Sequence, residues 1–390
     1  MPHKIQKNGS FVSDLQTTLI ETRRNITPRP SLKIQYIKLE EQKHTTIDTH
    51  VMVSGSESSA EGQRASKRRK HVQEPMLDPN QQRDVIYPIK HPDIWKRYKK
   101  HQSLLWTCEE INFEQDRSDF NNLTPAEQHV LKSVLSFFAV ADGIVMENLG
   151  ANFCSEVKLP EAQYFYKIQD MIESVHAECY ALLVETLISD PQEKRRLFDG
   201  LRSMPHVQQK AQYARNYMDP TLHTFAERLV AFAAVEGILF CASFATIYAF
   251  KERNVLKGLT LSNEFIARDE RMHHKFAALL FTKLVQKPSP ERILTILTDA
   301  VKAEQEFVRN TFTNPIRGID ADIMCRYVEK VADEILVDLG QPSHYKTALP
   351  SALAFMDALH LERKANFFEV RASEYQRPSC ANTFDLNAAF

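Results

Sequence analysis

Glu173-x-x-His176 and Glu270-x-x-His273 repeat one short spacing in two separate stretches of the chain. A helix turns by about 100° per residue, so a carboxylate and an imidazole three residues apart leave the same face. A lone acid inside an apolar run precedes each pair: Asp142 lies 31 residues before Glu173, and Glu236 lies 34 before Glu270. Asp142 follows SFFAVA and Glu236 follows AFAAV, so both carboxylates are expected in a core, where an unpaired charge is costly. Four carboxylates and two imidazoles meeting inside a four-helix bundle form the ligand set of di-iron and di-manganese carboxylate sites. Oxygen-rich ligation with only two imidazoles suits iron or manganese better than zinc or copper. The spacing alone is weak evidence. A third copy, Glu41-x-x-His44, has no apolar helix around it and is set aside. Glu147, Glu178 and His274 fall off the ligand face by helical geometry.

Tyr180 lies seven residues past Glu173, about two full turns, and stays on the ligand face. Beside metals that activate oxygen, such a phenol can be oxidised. Phe240 and Phe244 lie four and eight residues past Glu236 and are expected to keep the site dry.

The elements that must position these residues are helices. The chain has 390 residues and only 10 glycines, and alternating strand text is scarce. Thr124-Pro125-Ala126-Glu127 reads as a capping box opening the Asp142 helix. Pro160 opens the Glu173 helix, and Asp190-Pro191 repeats the capping-box start. A helix over residues 229–250 carries Glu236, one from about Leu261 carries Glu270, and Pro290 and Asp320 begin two more, the last stopped by Gly340. Residues 229–250 hold a single charge and are long enough to span a membrane, but Glu236 at the centre favours a helix buried in a bundle. The expected architecture is all-α: a ferritin-like helical bundle with additional helices over residues 86–345. A disordered N-terminal extension (1–85) and a C-terminal segment (346–390) flank it. Lys+Arg 49 against Asp+Glu 50 gives no drive towards nucleic acid or lipid. Lys67-Arg68-Arg69-Lys70 is read as a solvated run, with nuclear import as the alternative. Six scattered cysteines without C-x-x-C, and an N-terminus without an apolar segment, point to a reduced, cytoplasmic protein.

From about Tyr87 onward the chain resembles the radical-carrying small subunit of class I ribonucleotide reductase. The stretches that carry the resemblance include Asp93-Ile94-Trp95, Asp142-Gly143-Ile144-Val145, Glu173-x-x-His176-x-x-x-Tyr180, Ala233-Ala234-Val235-Glu236-Gly237-Ile238, Arg268-Asp269-Glu270-x-x-His273 and Glu374-Tyr375-Gln376-Arg377. The resemblance implies two iron ions per chain, with manganese as the alternative. One is bound by Asp142, Glu173 and His176, the other by Glu236, Glu270 and His273. It implies a stable radical on Tyr180 and an electron route in which Trp95 contacts Asp269 and Asp269 contacts His176. It also implies a relay through Tyr375, a homodimer or a heterodimer with a second small-subunit type, and docking of the last residues on the large subunit. Only Asp385 is acidic in the final seven residues, so Phe384, Leu386 and Phe390 are expected to carry the docking. Arg271 follows a ligand where a small residue is expected, and a local effect alone is anticipated. Without the resemblance, another di-metal oxygen-activating enzyme or an iron-storage protein stays open.

Overall fold

The computed structural model describes residues 74–356. Eleven helices of six or more residues organise them: α1 Pro92–Gln102, α2 Asp116–Asn121, α3 Pro125–Asn148, α4 Pro160–Leu187, α5 Pro191–Phe198, α6 Pro205–Met218, α7 Phe225–Gly237, α8 Cys241–Lys251, α9 Lys257–Thr282, α10 Pro290–Thr311 and α11 Ala321–Asp338. No strand occurs among the described residues, only an isolated bridge between Ile316 and Ile319. The expected all-α, ferritin-like architecture is what forms.

Four helices make the central bundle. α3 packs along α4, α7 along α9, and α4 meets α9. Their facing sides are apolar, with Phe138, Leu135, Phe165, Leu183, Val230 and Phe276 buried between them. α1 lies across α4, while α10 and α11 close the side beyond α7.

Local chemistry sets the helix ends. Thr124 and Glu127 form the reciprocal capping box at α3. Asp190 caps α5 with its carboxylate on the Gln192 and Glu193 N–H groups, but the reciprocal half is absent because Glu193 pairs with Arg196. α9 starts one turn earlier than the sequence indicates. Its cap comes from α2, whose Asp116 carboxylate accepts from the Gly258 and Leu259 N–H groups at 3.0 and 2.6 Å. A cap supplied from so far along the chain leaves no local signal. Gly340, at φ +73°, ends α11 as expected.

Residues 229–250 do not form one helix. α7 stops at Gly237, one residue past Glu236, and α8 begins at Cys241. The Ile238 and Leu239 N–H groups both reach the Ala234 carbonyl, at 2.7 and 3.1 Å, which widens the ladder. A Cβ at Gly237 would sit 2.3 Å from Ile335 Cδ1 of α11, so a larger residue there would push that side-chain end aside. A second stretch, Pro125–Glu156, also passes the length and hydropathy test for a span, but 67% and 94% of the two windows are buried in the protein. Both are core helices.

Residues 74–81, assigned by sequence to the N-terminal extension, are packed: Met76 is in the core and its carbonyl accepts from Lys158 N–H at 2.8 Å. The Glu74 carboxylate takes the Val285 and Gln286 N–H groups. The ordered body therefore starts before residue 86. The basic run at 67–70, Glu41/His44, Tyr375 and the terminal docking residues lie outside the described residues.

A buried ion pair braces α6 against α10: Lys210 Nζ lies 2.7 Å from Glu304 Oε2, and neither side chain is exposed. The ammonium also rests on the rings of Phe137 and Phe307, 3.2 and 3.9 Å from their centroids. Burial pushes Lys210 down to about 8 and Glu304 up to about 7. Lys210→Met is expected to destabilise the fold by about 3–5 kcal/mol by stranding Glu304. The double change Lys210→Met/Glu304→Leu should recover most of that loss. Urea denaturation checks both, and a double variant no better than the single one would refute the account.

Candidate metal centre

The four central helices bring all six expected ligands together. α3 contributes Asp142, α4 Glu173 and His176, α7 Glu236, and α9 Glu270 and His273. All six are buried. They form two overlapping groups, Asp142/Glu173/His176 and Glu173/Glu236/Glu270/His273, with ligand atoms within 4.8 Å of one another. Glu173 belongs to both. Its Oε2 lies 3.3 Å from His176 Nδ1 and its Oε1 lies 3.0 Å from His273 Nδ1. Glu270 also spans the two imidazoles, at 3.1 Å from His176 Nδ1 and 3.4 Å from His273 Nδ1. Both Glu-x-x-His glutamates thus face the whole cluster, while Asp142 and Glu236 stand at opposite ends.

Several of these atoms lack a hydrogen-bond donor, namely Asp142 Oδ2, Glu236 Oε2 and both oxygens of Glu270, and His273 Nδ1 has no partner in bonding geometry. Native cores rarely leave so many polar atoms unsatisfied in one place. Burial pushes the Asp142 and Glu236 carboxyls well up. Burial opposes a charged imidazole, yet the surrounding carboxylates push His176 and His273 up. Glu173 is the exception: against burial, its contacts with both imidazoles hold it down to about 2. Two divalent cations would satisfy this donor set, neutralising four carboxylates and engaging both Nδ1 atoms. Glu147 and Glu178 are exposed and take no part.

With each Nδ1 turned inward, each Nε2 faces out, and the two outer partners differ. His176 Nε2 lies 3.3 Å from Asp269 Oδ2, whereas His273 Nε2 lies 3.0 Å from His101 Nε2. Asp269 is fully engaged: Oδ2 also accepts from the Trp106 indole N–H at 2.8 Å, and Oδ1 accepts from Arg268. Burial would raise this carboxyl, but the Arg268 charge and the His176 contact hold it low. Burial, then the neighbouring His273, push His101 down to about 3, so it meets His273 as a neutral ring.

The indole on Asp269 is therefore Trp106, and the expected contact from Trp95 is not formed. Trp95 sits on α1 among Tyr87, Tyr98 and Tyr164, 4.7 Å from the Tyr98 ring. α1 buries Ile94 and His101, seven residues apart on its inner face, and Trp95 is turned about 100° from Ile94. Trp106 and His101 were both missed by sequence reasoning. For Trp106 a signal existed: it follows Leu104 and Leu105, while Trp95 is flanked by Asp93, Lys96 and Arg97.

Tyr180 lies on the inner side of α4 with 1% of its surface exposed, and its hydroxyl has no hydrogen-bond partner. Burial, then the Asp142 charge, push the phenol well above its ordinary range. Its ring stacks on Phe138, with centroids 4.3 Å apart and planes at 4°. Phe240 and Phe244 pack on Phe138 rather than on the tyrosine, at 5.7 and 5.1 Å. The dry wall is thus built in two layers. A cavity of about 90 Å³ touches Glu236 and Glu270 and is lined by Phe244, Arg271 and His274 among others. Arg271, expected to act only locally, reaches the same cavity as two ligands.

Comparisons with known proteins point to one family. The family model for the ribonucleotide reductase small chain matches residues 83–351. The ribonucleoside-diphosphate reductase small chain of vaccinia virus (strain Ankara) is 45% identical over 321 residues, covering 81% of this chain and 100% of the viral one. The small chain of Trypanosoma brucei brucei is 42% identical over 334 residues, covering 84% and 98%. Among solved structures, a ribonucleotide reductase homodimer from Saccharomyces cerevisiae matches with a TM-score of 0.65 at 32% identity, covering 74% of this chain and 93% of that one. The chain belongs to the ribonucleotide reductase small-chain family, the small subunits of ribonucleoside-diphosphate reductase.

Proposed function

We propose that the cluster holds two iron ions and that this subunit generates and stores a radical on Tyr180 for ribonucleotide reduction by the large subunit. The observation that carries this reading is a buried phenol without a hydrogen-bond partner, on the same helix face as Glu173 and His176. Asp142, Glu173 and His176 hold one ion, and Glu236, Glu270 and His273 the other. When bound, the iron pair supplies the oxidising power of dioxygen. Tyr180 is the residue that would be oxidised there, its electron and phenolic proton passing together to reduced dioxygen and ending in water. The phenol oxygen has no hydrogen-bond donor, and Phe138, backed by Phe240 and Phe244, covers the ring and shields a neutral radical there.

Electrons reach the site along Trp106, Asp269 and His176, which contact one another in that order. Trp106 is also stacked over the His176 ring, with centroids 6.0 Å apart. Tyr375 relays the radical in the segment beyond the described residues, and Phe384, Leu386 and Phe390 dock on the large subunit. The subunit works as a homodimer, a reading supported by the homodimeric yeast structure.

The deciding experiment adds ferrous iron and dioxygen to the metal-free chain and records electron paramagnetic resonance. About two iron ions per chain and a tyrosyl signal are expected. Bound iron without a tyrosyl signal would sink the radical reading. Ferrous iron at about 100 times its Kd should also stabilise the fold by about 2.7 kcal/mol per site. Glu173→Ala, which removes the ligand common to both groups, is expected to reduce iron content to below about one per chain. Metal analysis after gel filtration reads this out, and an undiminished content would show that Glu173 is not needed to hold the ions.

A further inference from the structure

Cys108 and Cys179 are 71 residues apart in the chain, yet their sulfurs lie 3.2 Å apart in the core. Cys108 opens the single turn Cys108–Glu110 that follows Trp106, and Cys179 is on α4 directly before Tyr180. Both are free and buried, and neither takes part in the metal centre. Thr107 and Glu109, on either side of Cys108, are exposed, so the pair lies beneath a segment that faces water. Covalent S–S bonding needs about 2.05 Å, and the sulfurs must close by about 1 Å to reach it.

We propose that Cys108 and Cys179 are a dithiol–disulfide pair, oxidised by hydrogen peroxide, that ties the Trp106 segment to α4. A peroxide is small enough to reach thiols that larger disulfide reagents cannot touch. The Cys108 sulfur attacks one peroxide oxygen, the O–O bond breaks, and the departing hydroxide takes up a proton and leaves as water. Cys108 is now a sulfenic acid. The Cys179 sulfur attacks the Cys108 sulfur, the S–O bond breaks, and the second water leaves with the Cys179 proton. Two thiols have lost two electrons and two protons, and one peroxide has become two waters.

The order follows from access: burial pushes the Cys179 thiol up, whereas Cys108 sits in the turn nearer the surface. Cys108, between the exposed Thr107 and Glu109, is the sulfur a peroxide meets first and so the attacking one, and Cys179, buried on α4, is the resolving one. The inference does not rest on the radical mechanism, since it needs only the two sulfurs and an oxidant. Its reach is nevertheless into the site, because the tethered segment carries the indole that donates to Asp269.

The test treats the full chain with hydrogen peroxide in the presence of a chelator, then unfolds it in an alkylating reagent and maps the peptides. The expected result is a cross-linked peptide pair joining Cys108 to Cys179, lighter by two hydrogens and released by dithiothreitol. The oxidised protein should melt about 5 °C higher, because the link closes a long loop. Amide exchange over residues 104–111 should slow at least about tenfold. Cys179→Ala should instead leave Cys108 as sulfenic or sulfinic acid with no melting shift. Recovery of both cysteines alkylated after peroxide treatment, or of over-oxidised Cys108 beside a free Cys179 in the wild-type chain, would overturn the proposal. Because the wild-type peptide map decides, the result does not depend on the variant folding.

Discussion

Replacing Tyr180 with phenylalanine is expected to abolish the tyrosyl resonance and nucleotide reduction together, while both metals stay bound. The substitution removes one oxygen that makes no hydrogen bond and leaves the ring stacked on Phe138. Stability should change by less than about 1 kcal/mol, because no buried partner is stranded. None of the six ligand side chains is altered. Turnover with the large subunit, by contrast, should fall by at least about 1,000-fold, a barrier increase of about 4 kcal/mol. Resonance spectra, metal analysis and a melting curve on one preparation separate these effects. If the variant keeps a tyrosyl signal, the radical belongs to another of the 12 tyrosines.

Trp106→Phe is expected to lower turnover by about 100-fold or more, equivalent to about 2.7 kcal/mol, whereas Trp95→Phe should stay within about twofold of wild type. Phenylalanine fills most of the indole volume but cannot donate to Asp269 Oδ2, which then keeps only His176 on that oxygen. Losing a donor to a buried carboxylate costs about 1–3 kcal/mol, so a moderate drop in Tm accompanies the kinetic effect. Trp95 packs in an outer aromatic group with Tyr87, Tyr98 and Tyr164 and touches no residue of the centre. Steady-state reduction with the large subunit, measured for both variants, decides between the two indoles. A severe defect in Trp95→Phe with a normal Trp106→Phe would reverse the assignment.

What the sequence made legible was whatever a single helix face can encode. Asp142 and Glu236 stand out because each is one charge in an apolar run, and the Glu-x-x-His spacing fixes direction without tertiary information. The helix starts at Thr124 and Asp320 could be read for the same reason, since their caps are local. Features created between elements were not legible. Asp116 caps α9 from 142 residues away. The helix breaks after Gly237, where Ile335 of α11 packs close, and nothing in a uniformly apolar stretch announces it. His101 is one polar residue on a helix rich in lysine, and only the crossing of α1 over α4 and α9 turns it towards His273. The resemblance carried by Asp93-Ile94-Trp95 points to an indole on the helix, yet the irregular segment after that helix is the part that dips into the core.

The outer contacts of the two ligand imidazoles also bear on how alike the two halves of the centre are. By sequence the halves look like duplicates, each an acid followed by Glu-x-x-His. The neighbours behind the histidines break that equivalence: an anion stands behind His176 and an uncharged ring behind His273. An imidazole leaning on a carboxylate donates more electron density than one leaning on another imidazole. Two identical ions would therefore meet unequal ligand surroundings, and the imidazole backed by the anion is the one in line with Trp106.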